Sequence, residues 1–184
     1  MSNKGHICPV AISGWLDNSI RRLHQNPQRI LKPYVKEGMT VLDVGCGPGF
    51  FSVDMARMVG KSGLVIAADL QEAMLQKVRE KIIVTELETR IKLHKCEENK
   101  IGVSDEVDFV LLFYMVHEVV NKRRFFEEIK GILKTTGQIF MVEPPFHVSK
   151  SAFKQSIKQA IGVGFKDFKC PNMLFHKTAI LKKG

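Results

Sequence analysis

The sequence predicts an α/β fold: a doubly wound, mostly parallel sheet of about seven strands, with helices on both faces and a terminal antiparallel hairpin. Three observations predict it. Strand-like and helix-like segments alternate from Met39 onward. The inner strand-like runs, such as VDFVLLF at 107–113, are continuously apolar, β-branched or aromatic, as strands buried on both faces are. The last two strand-like segments are separated only by Pro171, Asn172 and Met173, a gap too short for a crossover, so they should pair antiparallel.

The elements follow in order. WLDNSIRRLHQ at 15–25 reads as an amphipathic helix with Trp15, Leu16, Ile20 and Leu23 on one side. It ends near Asn26-Pro27, because the residue before a proline disfavours helix. A short helical piece, RILKPYV, leads to the turn at Glu37-Gly38. Strands are expected at 39–44, 64–68, 90–95, 107–113 and 138–143, and closing strands at 165–170 and 174–181. Helices are expected at 50–59, 72–84, 122–134 and 149–161. Residues 1–38 are therefore assigned to an N-terminal helical lid and 39–184 to the core. At 184 residues the whole suits one domain.

Composition excludes several classes. Hydrophobic residues make up 45% and charged residues 26%, an ordinary globular balance. No apolar run approaches the roughly 18 residues that span a bilayer. The opening MSNKGHICPVAISGW carries only a short, broken apolar run, so neither signal peptide nor anchor nor membrane contact is expected, and the cytoplasm is. Cys8, Cys46, Cys96 and Cys170 form no CxxC pair, which argues for reduced thiols and against a metal site or disulfide framework. Net charge is +9, and from Lys150 onward eight lysines face one acid, Asp167. Such a tail attracts anions, nucleic acid included. Without interleaved aromatics for base stacking, a solvated face is favoured.

In such sheets ligands bind at the carboxyl ends of the strands, where VLDVGCGPGF at 41–50 sets a glycine-dense turn. A triphosphate loop needs GxxxxGK[ST], which is absent. A dinucleotide fingerprint needs GxGxxG, yet the third glycine here comes one residue early and Pro48 lacks an N–H. Asp43 would face a pyrophosphate at a cost of about 4 kcal/mol at ~4 Å. The turn suits a cation. Asp69, closing the second strand, is placed to accept hydrogen bonds from ribose hydroxyls. That alone fits NAD equally well; joined to a cation-seeking turn, it points to a nucleoside bearing a positive centre.

VLDVGCGPGF, followed by VIAADLQEAML, CEENKIGVSDEVDFVLLFYMVHEV and ILKTTGQIFMVEP, resembles class I S-adenosylmethionine-dependent methyltransferases over about Met39 to Pro145. The resemblance implies a Rossmann-like fold and S-adenosylmethionine as cofactor. It implies that Asp43 and the backbone of Gly45, Cys46 and Gly47 border the methionine portion, and that Gly49 lets the next helix start close by. Asp69 would hold the ribose diol and Leu70 lie against the adenine. The acid that usually receives the adenine amino group is replaced by Cys96, with Glu97 expected to take over. Phe113 and Tyr114 would edge the cofactor, with His117 close by.

A sulfonium methyl is already activated, so alignment supplies much of the acceleration. A base is needed only where the acceptor must lose a proton. His117 and Glu118 follow the fourth strand, and Glu143 and His147 follow the fifth. The histidines titrate nearest working pH and are the candidate bases, with a pocket-shaping role as the alternative. Tyr114 is expected as a pocket wall. EPPF at 143–146 resembles the [DN]PP[YF] element of amino methylases but follows the wrong strand and lacks the Asn or Asp. Cys8, Trp15, Asp17 and Arg22 are placed to meet substrate if the N-terminal segment lids the pocket. No large insertion follows the fifth strand, which favours a small-molecule acceptor or a surface supplied by a partner. RNA or protein methylation, a nicotinamide-dependent oxidoreductase (lacking YxxxK) and a non-catalytic cofactor-binding subunit are the alternatives.

Overall fold

The computed structural model describes residues 25–168, 173 and 175–184. The expected helix at 15–25, together with Cys8, Trp15, Asp17, Arg22 and Cys170, therefore lies outside the described residues except for Gln25. The described chain forms two compact units that divide between Glu98 and Asn99. None of its helices is long and apolar enough to cross a membrane.

In the unit before that division, helix α1 (Pro27–Leu31) starts where Asn26 accepts the Arg29 N–H at 3.1 Å, with Pro27 in the first turn, where its missing N–H costs nothing. Strand β1 (Thr40–Val44), helix α2 (Ser52–Val59), strand β2 (Leu64–Asp69), helix α3 (Glu72–Ile82) and strand β3 (Ile91–Lys95) follow. The strands are parallel in the order β3-β2-β1, with Asp43 level with Ala67 and Asp69 level with Lys95. Val41, Leu42, Ile66 and Ala67 are fully buried, as continuous apolar strands demand. Gly63 makes the tight entry to β2. A Cβ there would lie 2.6 Å from the Val59 carbonyl oxygen and 2.7 Å from that of Met39.

The later unit holds strand β4 (Val107–Phe113), a single 3₁₀ turn (Val116–Glu118), helix α4 (Lys122–Ile132), strand β5 (Leu133–Glu143), helix α5 (Lys150–Gly162) and strands β6 (Phe165–Phe168) and β7 (Lys177–Lys183). Its strand order is β4-β5-β7-β6, with β4 and β5 parallel and β7 antiparallel to both β5 and β6. All the strands belong to one seven-stranded sheet. The mostly parallel α/β fold and its antiparallel ending are as the sequence predicts.

The junction of α4 and β5 differs from expectation. Helix α4 stops at Ile132 and β5 begins at Leu133 instead of 138, because Leu133 is buried level with Val107 and the register slips before Phe109 meets Gln138. Lys134 fixes the slipped segment by placing Nζ at 2.8 and 2.9 Å from both oxygens of Asp108. The second strand of the closing hairpin is the inner one, so the last residues of the chain, and not the first strand of the hairpin, pair with β5.

Candidate functional site

The first cluster stands at the carboxyl ends of β1, β2 and β3. Asp43 is 2% exposed and accepts the Ser52 hydroxyl at 2.5 Å, which ties β1 to the start of α2. Asp69 is 7% exposed, and its two oxygens are anchored separately: one accepts the Gly47 N–H at 2.9 Å, the other the Gln71 N–H at 2.8 Å. Burial pushes the Asp69 carboxyl up, while those amides and the Lys95 ammonium pull it down. Cys46 is buried between these acids. Its burial first, then the Asp43 and Asp69 carboxylates and the Cys96 thiol, push its thiol well up, so it stays protonated and inert.

The glycine turn has spent its donors inside the chain. Gly45 and Cys46 both give their N–H to the Ala68 carbonyl (2.8 and 3.1 Å), Gly49 gives its own to Cys46 (3.1 Å), and Gly47 gives its own to Asp69. Pro48 has none, and its carbonyl accepts Lys81 Nζ at 2.5 Å. The groups with lone pairs left at the turn are carbonyl and carboxylate oxygens, which suit an ammonium, a sulfonium and hydroxyls and oppose a pyrophosphate. There is also room for one: a Cβ on Gly47 would meet nothing within 4 Å. These residues fit S-adenosylmethionine. Gly49 also shapes the packing of this segment. At φ 82° it makes space for helix α3, since a Cβ there would come within 3.0 Å of Val78.

Around this cluster, Leu70 is half-buried and its carbonyl accepts Lys95 Nζ. Cys96 gives its N–H to the Asp69 carbonyl at 2.9 Å, while Glu97 is exposed.

The second cluster stands at the carboxyl ends of β4 and β5. Phe113 is buried and packs on Tyr114 with ring centroids 4.4 Å apart. Tyr114 has φ 63°, an uncommon conformation for a bulky residue, and is held by its N–H to the Val142 carbonyl at 2.8 Å. Its ring stacks on His176 at 5.7 Å and 8°. The structure brings His117 and His147 together, ring centroids 4.9 Å apart. The Nδ1 of His117 lies 2.6 Å from Glu143, itself 1% exposed. That hydrogen bond raises the His117 imidazole above the usual histidine range; burial and Lys122 oppose it, and the charges of Glu143 and Glu118 reinforce it.

Sequence reasoning missed Ser52, Gln71 and His176. Ser52 and Gln71 leave no compositional signal, since one acts through a hydroxyl nine residues from its partner and the other through its backbone. His176 stands just before β7, where no pattern marks it. Glu143 was visible as a strand-end acid, but its pairing with a residue 26 positions away was not.

A family model described as a methyltransferase domain matches residues 35–177. A crystal structure of a SAM dependent methyltransferase from Aquifex aeolicus superposes with a TM-score of 0.84 at 27% identity, covering 95% of this chain and 98% of that one. The ubiquinone/menaquinone biosynthesis C-methyltransferase UbiE of Cellvibrio japonicus is 29% identical over 59% of this chain and 44% of its own length. A demethylmenaquinone methyltransferase from Lactobacillus johnsonii is 28% identical over 79% of this chain and 62% of its own length. The chain thus spans roughly half the length of these two curated relatives. It belongs to the methyltransferase-domain family, as a class I member of the kind that takes S-adenosylmethionine.

Proposed function

We propose that this chain binds S-adenosylmethionine at the Asp43–Asp69 cluster and transfers its methyl group to a small molecule. The observation that carries the proposal is the pairing of two buried carboxylates with a turn whose amides are already used. In this reading the cofactor supplies an activated methyl on a sulfonium. Asp69 accepts the ribose hydroxyls with lone pairs left beside its two amide bonds, Asp43 and the turn's carbonyls face the ammonium, and Leu70 and Cys96 border the adenine. Phe113 and Tyr114 wall the acceptor, and His117 and His147 are the candidate bases.

The names of the relatives, a C-methyltransferase of ubiquinone and menaquinone biosynthesis and a demethylmenaquinone methyltransferase, favour a carbon of a small molecule as the methyl acceptor over the phosphate-rich surface of RNA. Calorimetry tests the cofactor assignment. S-adenosylhomocysteine should bind with a micromolar constant, and Asp69→Ala should weaken it by about tenfold or more, the equivalent of one charge-assisted hydrogen bond. Equal affinity in the variant, or tighter binding of NAD than of S-adenosylhomocysteine, would discard the assignment.

A further inference from the structure

Both oxygens of Glu143 are occupied by one residue. Oε1 accepts the His117 backbone N–H at 3.0 Å and Oε2 meets His117 Nδ1 at 2.6 Å. A carboxylate only accepts, so the ring proton of a neutral His117 sits on Nδ1 and the lone pair is left on Nε2. We infer that Glu143 is a positioning residue that fixes His117 Nε2 as the proton acceptor of the transfer, and that the acceptor molecule carries a proton it gives up as the methyl arrives. This rests on the methyltransferase reading and specifies the acceptor chemistry of that same site.

The surroundings of the ring support the assignment. Glu118, on the same turn, lies 3.9 Å from Nε2, too far to take its place as a hydrogen-bond partner and near enough to favour an imidazolium. Lys122, from the start of α4, is itself held down by burial and keeps Nζ on the Val119 carbonyl at 2.8 Å. His147 supplies a neighbouring ring from the β5–α5 connection. Helix α5, which also packs on the turn, turns Ser156, Ile157 and Ala160 inward, none of which titrates in this range, and leaves Lys150, Lys154 and Lys158 exposed.

The step balances. The acceptor's electron pair forms the bond to the methyl carbon, and the pair of the sulfur–carbon bond that breaks stays on sulfur. The acceptor's proton passes to Nε2, giving an imidazolium opposite Glu143, and water then removes it. Acceptors without a proton to lose gain nothing from the pair. A phenol, a thiol or an electron-rich ring carbon does.

Long-range proton–nitrogen NMR of the full chain, without cofactor, reads the tautomer directly. The Nδ1–H form with a midpoint above 6.5 is expected for His117. In Glu143→Gln one of the two accepting oxygens becomes an NH2 donor, so one of the two His117 donors loses its acceptor and the ring proton should move to Nε2 or the midpoint fall. Glu143→Asp, which keeps the charge, should preserve the Nδ1–H form. An Nε2–H tautomer in the unaltered chain, or identical titrations in it and Glu143→Gln, overturns the positioning role. With labelled cofactor, 1,4-dihydroxynaphthalene and dimethyl selenide serve as probes with and without a proton to lose. Transfer to the first alone, with a rate that rises with pH through the NMR midpoint, supports the acceptor class. Transfer to the second, or to neither, overturns it. Failure of the methyltransferase reading itself would show separately, as absent S-adenosylhomocysteine binding with the His117 tautomer intact.

Discussion

At His117 the raised titration has a thermodynamic consequence with a definite sign. A histidine whose folded pKa exceeds its unfolded value binds protons more tightly when folded. The stability it confers is fully present below about pH 6.5 and is lost as pH rises through the folded value. The difference in melting temperature between the unaltered chain and Glu143→Gln should therefore be larger near about pH 6 than near about pH 9. A difference that grows with pH would contradict the His117–Glu143 pairing. Glu143 illustrates how far sequence reaches at this scale. A strand-ending acid after a run such as QIFMV is recognisable, whereas its partner is chosen by the packing of a 3₁₀ turn against β5, which no local pattern encodes.

Among the elements, the connection from β1 to α2 carries the sharpest constraint. Gly49 combines positive φ with a close approach to Val78 of α3, so Gly49→Ala should destabilise the protein by about 1–3 kcal/mol in urea unfolding. Part of the loss, the steric part, should be recovered by adding Val78→Ala, and the double-mutant cycle separates it from backbone strain. Purely additive effects would show that Val78 does not press on this site. The glycine turn, β1 and β2 were legible because buried parallel strands read as unbroken apolar runs and because Asp43 and Asp69 sit at their ends. The early start of β5 was not. Lys134 reads locally as a helix end and Thr135, Thr136 and Gly137 as the gap after it, whereas the burial of Leu133 and the Lys134–Asp108 ion pair draw the backbone into the strand.

For the molecule as a whole, ligand linkage gives the broadest test. A ligand present at a hundred times its dissociation constant, bound only by the folded state, adds about 2.7 kcal/mol. For a chain of this size that should raise the melting temperature by about 5–11 °C. S-adenosylhomocysteine should produce this shift, and Asp69→Ala should remove most of it; a chain whose melting is indifferent to the ligand has no such site. The seven-stranded fold was legible from the alternation of elements, but the position of β7 between β5 and β6 was not, because antiparallel pairing at a sheet edge is decided by long-range contacts. The chain bears a net charge of +9, yet around Cys46 the local field is negative. Polyphosphate nucleotides, which abound wherever adenosine does, would find every amide of the Gly45–Gly49 bend committed elsewhere. A bend wired in this way has no N–H left to offer a phosphate oxygen, with no gate or moving part required.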